Sequence, residues 1–248
     1  MTYSIALAGK GGTGKTTVAG MLVRYLVQRE KTPVLAVDAD ANANLNEVLG
    51  LTLRATLGEA REEMKKGVAA GMTKDVFMQM KIQEAVVEAK GFDLIVMGRP
   101  EGTGCYCAAN SLLTQYLDKL MVNYASIVID NEAGMEHLSR MTTNNIDALL
   151  VVSDPTKRGL QAAARILELT RELKLNIGRN FLLVNQAKDS QVSSIESFIK
   201  GYNMDLLGVI PDDPKVREFD LKGIATIELD EGSIALRAAY DAFDRIMS

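Results

Sequence analysis

Two stretches of this chain carry residue types whose spacing can do chemistry. Gly9-Lys10-Gly11-Gly12-Thr13-Gly14-Lys15-Thr16-Thr17 satisfies G-x-x-x-x-G-K-[ST], the spacing of a loop that wraps phosphate. Its glycines let backbone N–H groups turn toward phosphate oxygens, Lys15 neutralises the outer phosphates, and the Thr16 hydroxyl suits Mg²⁺. A helix starting behind the loop adds positive potential at its amino end. The second stretch, GTGCYCAAN, holds both cysteines, Cys105 and Cys107. A bond between them would close a small strained ring, so a structural disulfide is not expected. Two thiolates suit a soft or borderline metal such as Zn²⁺ or Ni²⁺, which asks for four donors. The chain has no third cysteine and one histidine, His137, so a single copy is short of ligands. Two copies about a two-fold axis would supply four sulfurs, which is the arrangement we expect. Taken alone, a Cys-x-Cys pair is more often inert than metal-binding. His137 by itself reads as a helix-surface or core residue.

The elements that must position these residues are legible as short apolar runs: SIALAG, VLAVD, DLIVM, SIVID, DALLVVS, NFLLVN and LLGVI. Helical patterns separate them, so the chain reads as a mostly parallel sheet covered by helices on both faces. Val18, Met21, Leu22, Tyr25 and Leu26 make one apolar stripe on a helix starting near Thr16. The phosphate-type loop therefore sits between a first strand and a first helix. Asp130 closes SIVID, where a strand-terminal carboxylate can hold Mg²⁺ through water. Residues 59–90 read as helices broken near Gly67 to Gly71, with four methionines expected as core filler. NSLLTQYLDKLM reads as a helix with Leu112, Leu113, Tyr116, Leu117 and Leu120 on one side, placing the cysteines at a loop-to-helix junction.

Composition limits the function classes. With 47% apolar and 24% charged residues the chain has the balance of a globular domain, and one domain over residues 1–248 is the simplest division. A formal net charge of −4 argues against a nucleic-acid partner. No apolar run reaches membrane-spanning length, and no secretory signal is expected at the amino terminus, so a cytoplasmic protein with no membrane partner is the expectation.

KGGTGKTT, with its extra lysine at Lys10, resembles the deviant Walker A motif of the MinD/ParA and nitrogenase-iron-protein class of ATPases, over essentially the whole chain. The resemblance implies an α/β, single P-loop NTPase domain that hydrolyses ATP to ADP with Mg²⁺, working as a homodimer in which Lys10 reaches the partner's phosphates. The first switch of that class matches Asp38-Ala39-Asp40, with Asp40 positioning the attacking water. The second matches Asp130-Asn131-Glu132-Ala133-Gly134, with Gly134 offering an N–H to the γ phosphate. Asn185 and Pro211-Asp212-Asp213 match its adenine-binding positions.

GCYCAANSLL and IDNEAGMEHLSR further resemble the nickel-insertion ATPases that mature carbon monoxide dehydrogenase and acetyl-CoA synthase. That resemblance implies a dimer with nickel (or zinc in vitro) at its Cys-x-Cys units, under ATP control, with such a nickel enzyme as client. Thr13 fills a slot that is often aliphatic in that family, and Ala108 and Ala109 are less polar than its pattern, which leaves the client open. Two rival readings remain at this point. An iron–sulfur reductase like the nitrogenase iron protein would place a cluster cysteine in the second switch, and residues 130 to 141 contain none. A partition or cell-division ATPase would need a basic amphipathic tail or a DNA-binding patch, whereas GSIALRAAYDAFDRIMS balances Arg237 and Arg245 against Asp241 and Asp244.

Overall fold

All seven apolar runs are strands in a computed structural model, which describes residues 2–68, 71–98, 115, 117–132, 146–202 and 204–247. The strands are β1 (Tyr3–Ala8), β2 (Val34–Ala39), β4 (Phe92–Val96), β5 (Ser126–Asn131), β6 (Ile146–Ser153), β7 (Ile177–Ala187) and β8 (Leu206–Pro211), with a short β3 (Val87–Glu88) added. They form one sheet in the order β3-β4-β2-β5-β1-β6-β7-β8. Every pairing is parallel except β3 with β4. β3 is the one strand the apolar pattern does not announce, because two half-exposed residues pairing at an edge need no alternation to hold them.

The continuous apolar runs follow from burial on two faces. Leu35, Val37, Ile127 and Ile129 point into one core, and Val34, Ala36, Val128 and Leu150 into the other. Helix α1 (Lys15–Gln28) lays its expected stripe into the second core, with Val18, Met21, Leu22, Tyr25 and Leu26 all buried. Truncating fully buried Leu22 to alanine would cost about 2–5 kcal/mol. The short α2 (Leu45–Val48) packs on α1.

Helices α3 (Leu57–Lys66) and α4 (Lys74–Ala85) lie on either side of the glycine break and cover the first core. Thr56 caps α3 in a reciprocal box with Glu59, and Thr73 caps α4. Met64 and Met78 are buried there and Met72 and Met80 pack against them, so all four methionines are filler. Of the expected helix after the cysteines, Leu117 is buried and Leu120 partly so. Leu112, Leu113 and Tyr116 lie outside the described residues.

The second half continues with α5 (Lys157–Glu172), α6 (Val192–Tyr202), α7 (Pro214–Lys222) and α8 (Ile234–Ile246). Among the described residues no helix is long and apolar enough to cross a membrane. Because the strands run parallel, their carboxyl ends gather at one edge, where ligands of open α/β sheets bind. Gly9 to Thr17, Asp38 to Asp40, Asp130, Asn185 and Pro211 to Asp213 all fall there.

Candidate nucleotide site

The loop after β1 is held in a turned conformation from both sides. Gly14 sits at φ +80° as the cap of α1, and a Cβ on it would lie 2.5 Å from the Asn185 Nδ2. That amide donates to the Thr13 carbonyl at 2.9 Å, so the end of β7 braces the loop. Thr13 is buried, and its hydroxyl donates to the Lys10 carbonyl at 3.0 Å, an internal tie that an aliphatic residue would lack. The Lys15 ammonium donates to the same carbonyl at 3.3 Å, while Lys10 itself is exposed.

Below the loop lie two carboxylates. Asp38 and Asp130 are register partners on neighbouring strands, 0% and 1% exposed. Burial pushes the Asp130 carboxyl up to about 7, against a hydrogen bond from the Thr16 hydroxyl, with Asp38 raising it further and Lys15 drawing it down. Its Oδ1 is buried and has no hydrogen-bond partner. A buried, unpartnered carboxylate oxygen beside a threonine hydroxyl is the donor set a hard divalent cation takes, so Thr16 and Asp130 fit Mg²⁺. Burial likewise lifts Asp38 to about 6, opposed by N–H donors from Leu45 at 2.9 Å and Asp40 at 3.0 Å. Asp38 thus shapes the turn that presents Asp40, whose own carboxylate accepts from the Asn42 N–H at 2.8 Å. Burial holds the Lys15 amine below its usual range, partly countered by Asp130, Asp40 and Glu132.

Asn131 extends β5 one residue past Asp130, and its Nδ2 donates to the Leu7 carbonyl at 2.8 Å. That bond fixes the second strand end against the one that feeds the loop. Ala133, Gly134, His137 and both Cys105 and Cys107 lie outside the described residues. Among the described residues no group of three or more His, Cys, Asp or Glu side chains could hold a metal ion.

The adenine-matched residues come together in a cleft of ≈ 330 Å³, where Asn185, Pro211, Asp212 and Asp213 meet Thr17, Val18 and Met21 of α1. Asn185 does not close its strand as the pattern suggests. β7 runs on to Ala187 past a register shift, with Gln186 in the left-handed region at φ +59°. The Asp213 carboxylate is fully committed, accepting from the Lys215 N–H at 2.8 Å, the Ser233 hydroxyl at 2.7 Å and the Ala235 N–H at 3.1 Å. Burial pushes its pKa up, but these donors outweigh it and hold the carboxyl below its usual range. What Asp213 can still offer a ligand is its backbone. Asp212 is ion-paired with Arg217.

Gln186 and Arg217 also line this cleft, and sequence reasoning did not single them out. Arg217 had a readable signal, one turn into a helix that opens with Asp213-Pro214. Gln186 had none, since its left-handed backbone is imposed by the irregular pairing of β7 with β8.

Comparison with known proteins places this arrangement. The profile of the CobQ/CobB/MinD/ParA nucleotide binding domain matches residues 4–227. The chain is 41% identical to an uncharacterized ATP-binding protein of Methanocaldococcus jannaschii, over 98% of each chain. It is 31% identical to the carbon monoxide dehydrogenase accessory protein CooC of Rhodospirillum rubrum, covering 91% of this chain and 89% of that one. Among solved structures, the septum site-determining protein MinD of Pyrococcus horikoshii, complexed with Mg-ADP, superposes with a TM-score of 0.74 over 99% of this chain and 96% of that one at 23% identity.

Proposed function

This chain is an ATPase of the CobQ/CobB/MinD/ParA nucleotide-binding family, and on that premise we propose that it is an ATP-controlled homodimer that carries nickel to carbon monoxide dehydrogenase or acetyl-CoA synthase. The observation that carries the reading is where β4 ends, the last described strand before Cys105-x-Cys107 in the sequence. Its last residue Val96 is the register partner of Asp38 in the first switch, so the described chain reaches Gly98 at the same edge as the phosphate loop. Likeness to the accessory protein CooC supports the nickel client.

In this reading Lys15 neutralises the β and γ phosphates, and Thr16 and Asp130 hold Mg²⁺, Asp130 through water. Bound there, the cation neutralises phosphate charge during transfer. Asp40, presented by the Asp38 turn, orients the attacking water. Exposed Lys10 reaches the partner subunit's phosphates, Gly134 donates an N–H to the γ phosphate, and Asn185 and Pro211 with the backbone of Asp212 and Asp213 face the adenine. Cys105 and Cys107 of each copy supply half of a four-sulfur site for Ni²⁺, with Zn²⁺ as a substitute in vitro. ATP draws the copies together, so metal affinity and nucleotide affinity change each other.

Helix α8 is not free to act as the amphipathic anchor of a surface-binding ATPase, because its Leu236, Ala239, Phe243 and Ile246 are buried in the chain's own core.

The test is Ni²⁺ and Zn²⁺ titration with and without a Mg-ATP analogue, with mass followed by analytical ultracentrifugation. One metal per two chains, lost on Cys105→Ser with Cys107→Ser, is expected. A fully loaded monomer, or unchanged uptake by the serine variant, sinks the proposal.

A further inference from the structure

We propose that Met97 is a strut linking the first switch to helix α3, and that Gly98 is the positioning residue that seats it. This rests on the metal-carrier reading and supplies the path by which the nucleotide site would reach the chain leading to Cys105 and Cys107. The Met97 N–H donates to the Asp38 carbonyl at 2.8 Å, and its carbonyl accepts from the Gly58 N–H at 2.7 Å. One residue therefore spends its two backbone groups on two different elements. On one side, the Asp38 carboxylate holds the N–H groups of Asp40 and Leu45, the two ends of the switch turn. On the other, Gly58 lies in the first turn of α3.

Gly98 fits this junction as no larger residue would. It lies at φ +65°, and a Cβ on it would stand 2.7 Å from the Thr56 Oγ1 and 2.8 Å from the Thr56 Cβ. Thr56 is not free to yield, because its hydroxyl caps Glu59 at 3.2 Å while the Glu59 carboxylate holds the Thr56 N–H at 2.7 Å. Between switch and helix lies a cavity of ≈ 390 Å³, lined by Ala41, Ala43, Thr56, Glu59 and Gly98 among others. It gives residues 41 to 43 space to rearrange while the bonds of Asp38 and Met97 persist. The acidic side chains there are already engaged, Glu59 in the cap, Glu62 with Lys65 and Glu63 with Lys81. The cavity is therefore clearance for a moving turn, and a change at Asp40 is passed through Asp38 and Met97 to α3 and to the chain after Gly98.

Hydrogen exchange of the full-length protein, read by mass spectrometry with and without a Mg-ATP analogue, tests the strut without metal. In the unaltered protein the Met97 and Gly58 amides slow several-fold when the analogue binds. In Gly98→Ala the response at Gly58 disappears while that of residues 9–14 persists, and kcat falls with KM for ATP retained. Adding Thr56→Gly removes all three Thr56 atoms that crowd the new Cβ but leaves the φ +65° backbone and takes away the hydroxyl that caps α3, so it restores the response in part. Equal exchange at Met97 and Gly58 with and without analogue in the unaltered protein overturns the strut, as does a full Gly58 response in Gly98→Ala. Metal affinity measured alongside separates the two readings. The analogue should shift it in the unaltered protein and not in Gly98→Ala. A protein that binds no metal yet shows the amide response overturns the carrier reading and upholds the strut.

Discussion

The edge where β1, β2 and β5 end and the cleft where β7 and β8 end treat buried charge in opposite ways. At the first, burial is the dominant effect on all three charges, holding Lys15 below its usual range and lifting Asp38 and Asp130 above theirs. Asp38 is met by the Asp40 and Leu45 N–H groups, whereas the Asp130 Oδ1 has no hydrogen-bond partner. At the second, Asp213 is also buried, yet two amides and a hydroxyl hold it below its usual range. Charge left under-satisfied by the fold is charge waiting for a ligand; charge met by backbone donors is part of the scaffold. The difference teaches that burial alone does not mark a functional carboxylate, and that its unmet bonds do.

Substitutions at the under-satisfied edge should cost rate and spare the fold. Lys15→Met and Asp130→Asn are expected to lower ATP hydrolysis by about 10²–10³-fold, while melting of the nucleotide-free protein stays level or rises. A large fall in melting temperature for either variant would break the comparison, since it would mean the fold depends on those charges.

The next effect is one of sign with pH. Asp38 in the folded chain sits at about 6, against roughly 4 when unfolded. A raised carboxyl contributes stability that is full below the unfolded value and lost as pH climbs through the folded one. Nucleotide-free protein should therefore gain stability on going from about pH 8 to about pH 5, by on the order of 1 kcal/mol from Asp38. Denaturant midpoints that shift this way in the unaltered protein and shift less in Asp38→Asn, where Asp130 still titrates with the same sign, would sharpen the contrast. A flat profile in both would remove it.

Asp213 has the opposite sign, its stabilisation being present above the unfolded value and lost as pH falls through the lower folded one. Asp213→Ala should destabilise the fold by about 2–3 kcal/mol by stranding the donors of Ser233, Ala235 and Lys215. Its kcat under saturating ATP should change little, as steady-state kinetics on the folded fraction would reveal. The smallest effect belongs to Arg217→Ala, which breaks a half-exposed ion pair with Asp212. Its stability cost should stay under about 1 kcal/mol, leaving any rise in KM for ATP as a measure of the cleft's contact with the base.

Much of this was legible in order along the chain. Seven strands announced themselves because a parallel sheet buried on both faces needs continuous apolar runs, and the phosphate loop because its spacing is dictated by the ligand's geometry. Helix α1 was readable from one apolar stripe, and α3 and α4 from the glycines between them. β3 was not, since its two residues carry no period. Nor was the commitment of Asp213, whose Ser233 and Ala235 partners lie across another helix and loop, nor the left-handed Gln186 at an irregular strand pairing. The double attachment of Met97 escapes sequence reading for a plain reason: backbone groups look the same in every residue.

The sequence by itself determined which residues can bind phosphate, which runs form the sheet and which thiols are available, because those follow from side-chain type and near-neighbour spacing. Only the tertiary structure decided which buried carboxylates are satisfied and which are left open, and which strand end is tied to which helix. Those outcomes depend on donors brought from distant positions, and the desolvation of a charged group is set by everything that surrounds it.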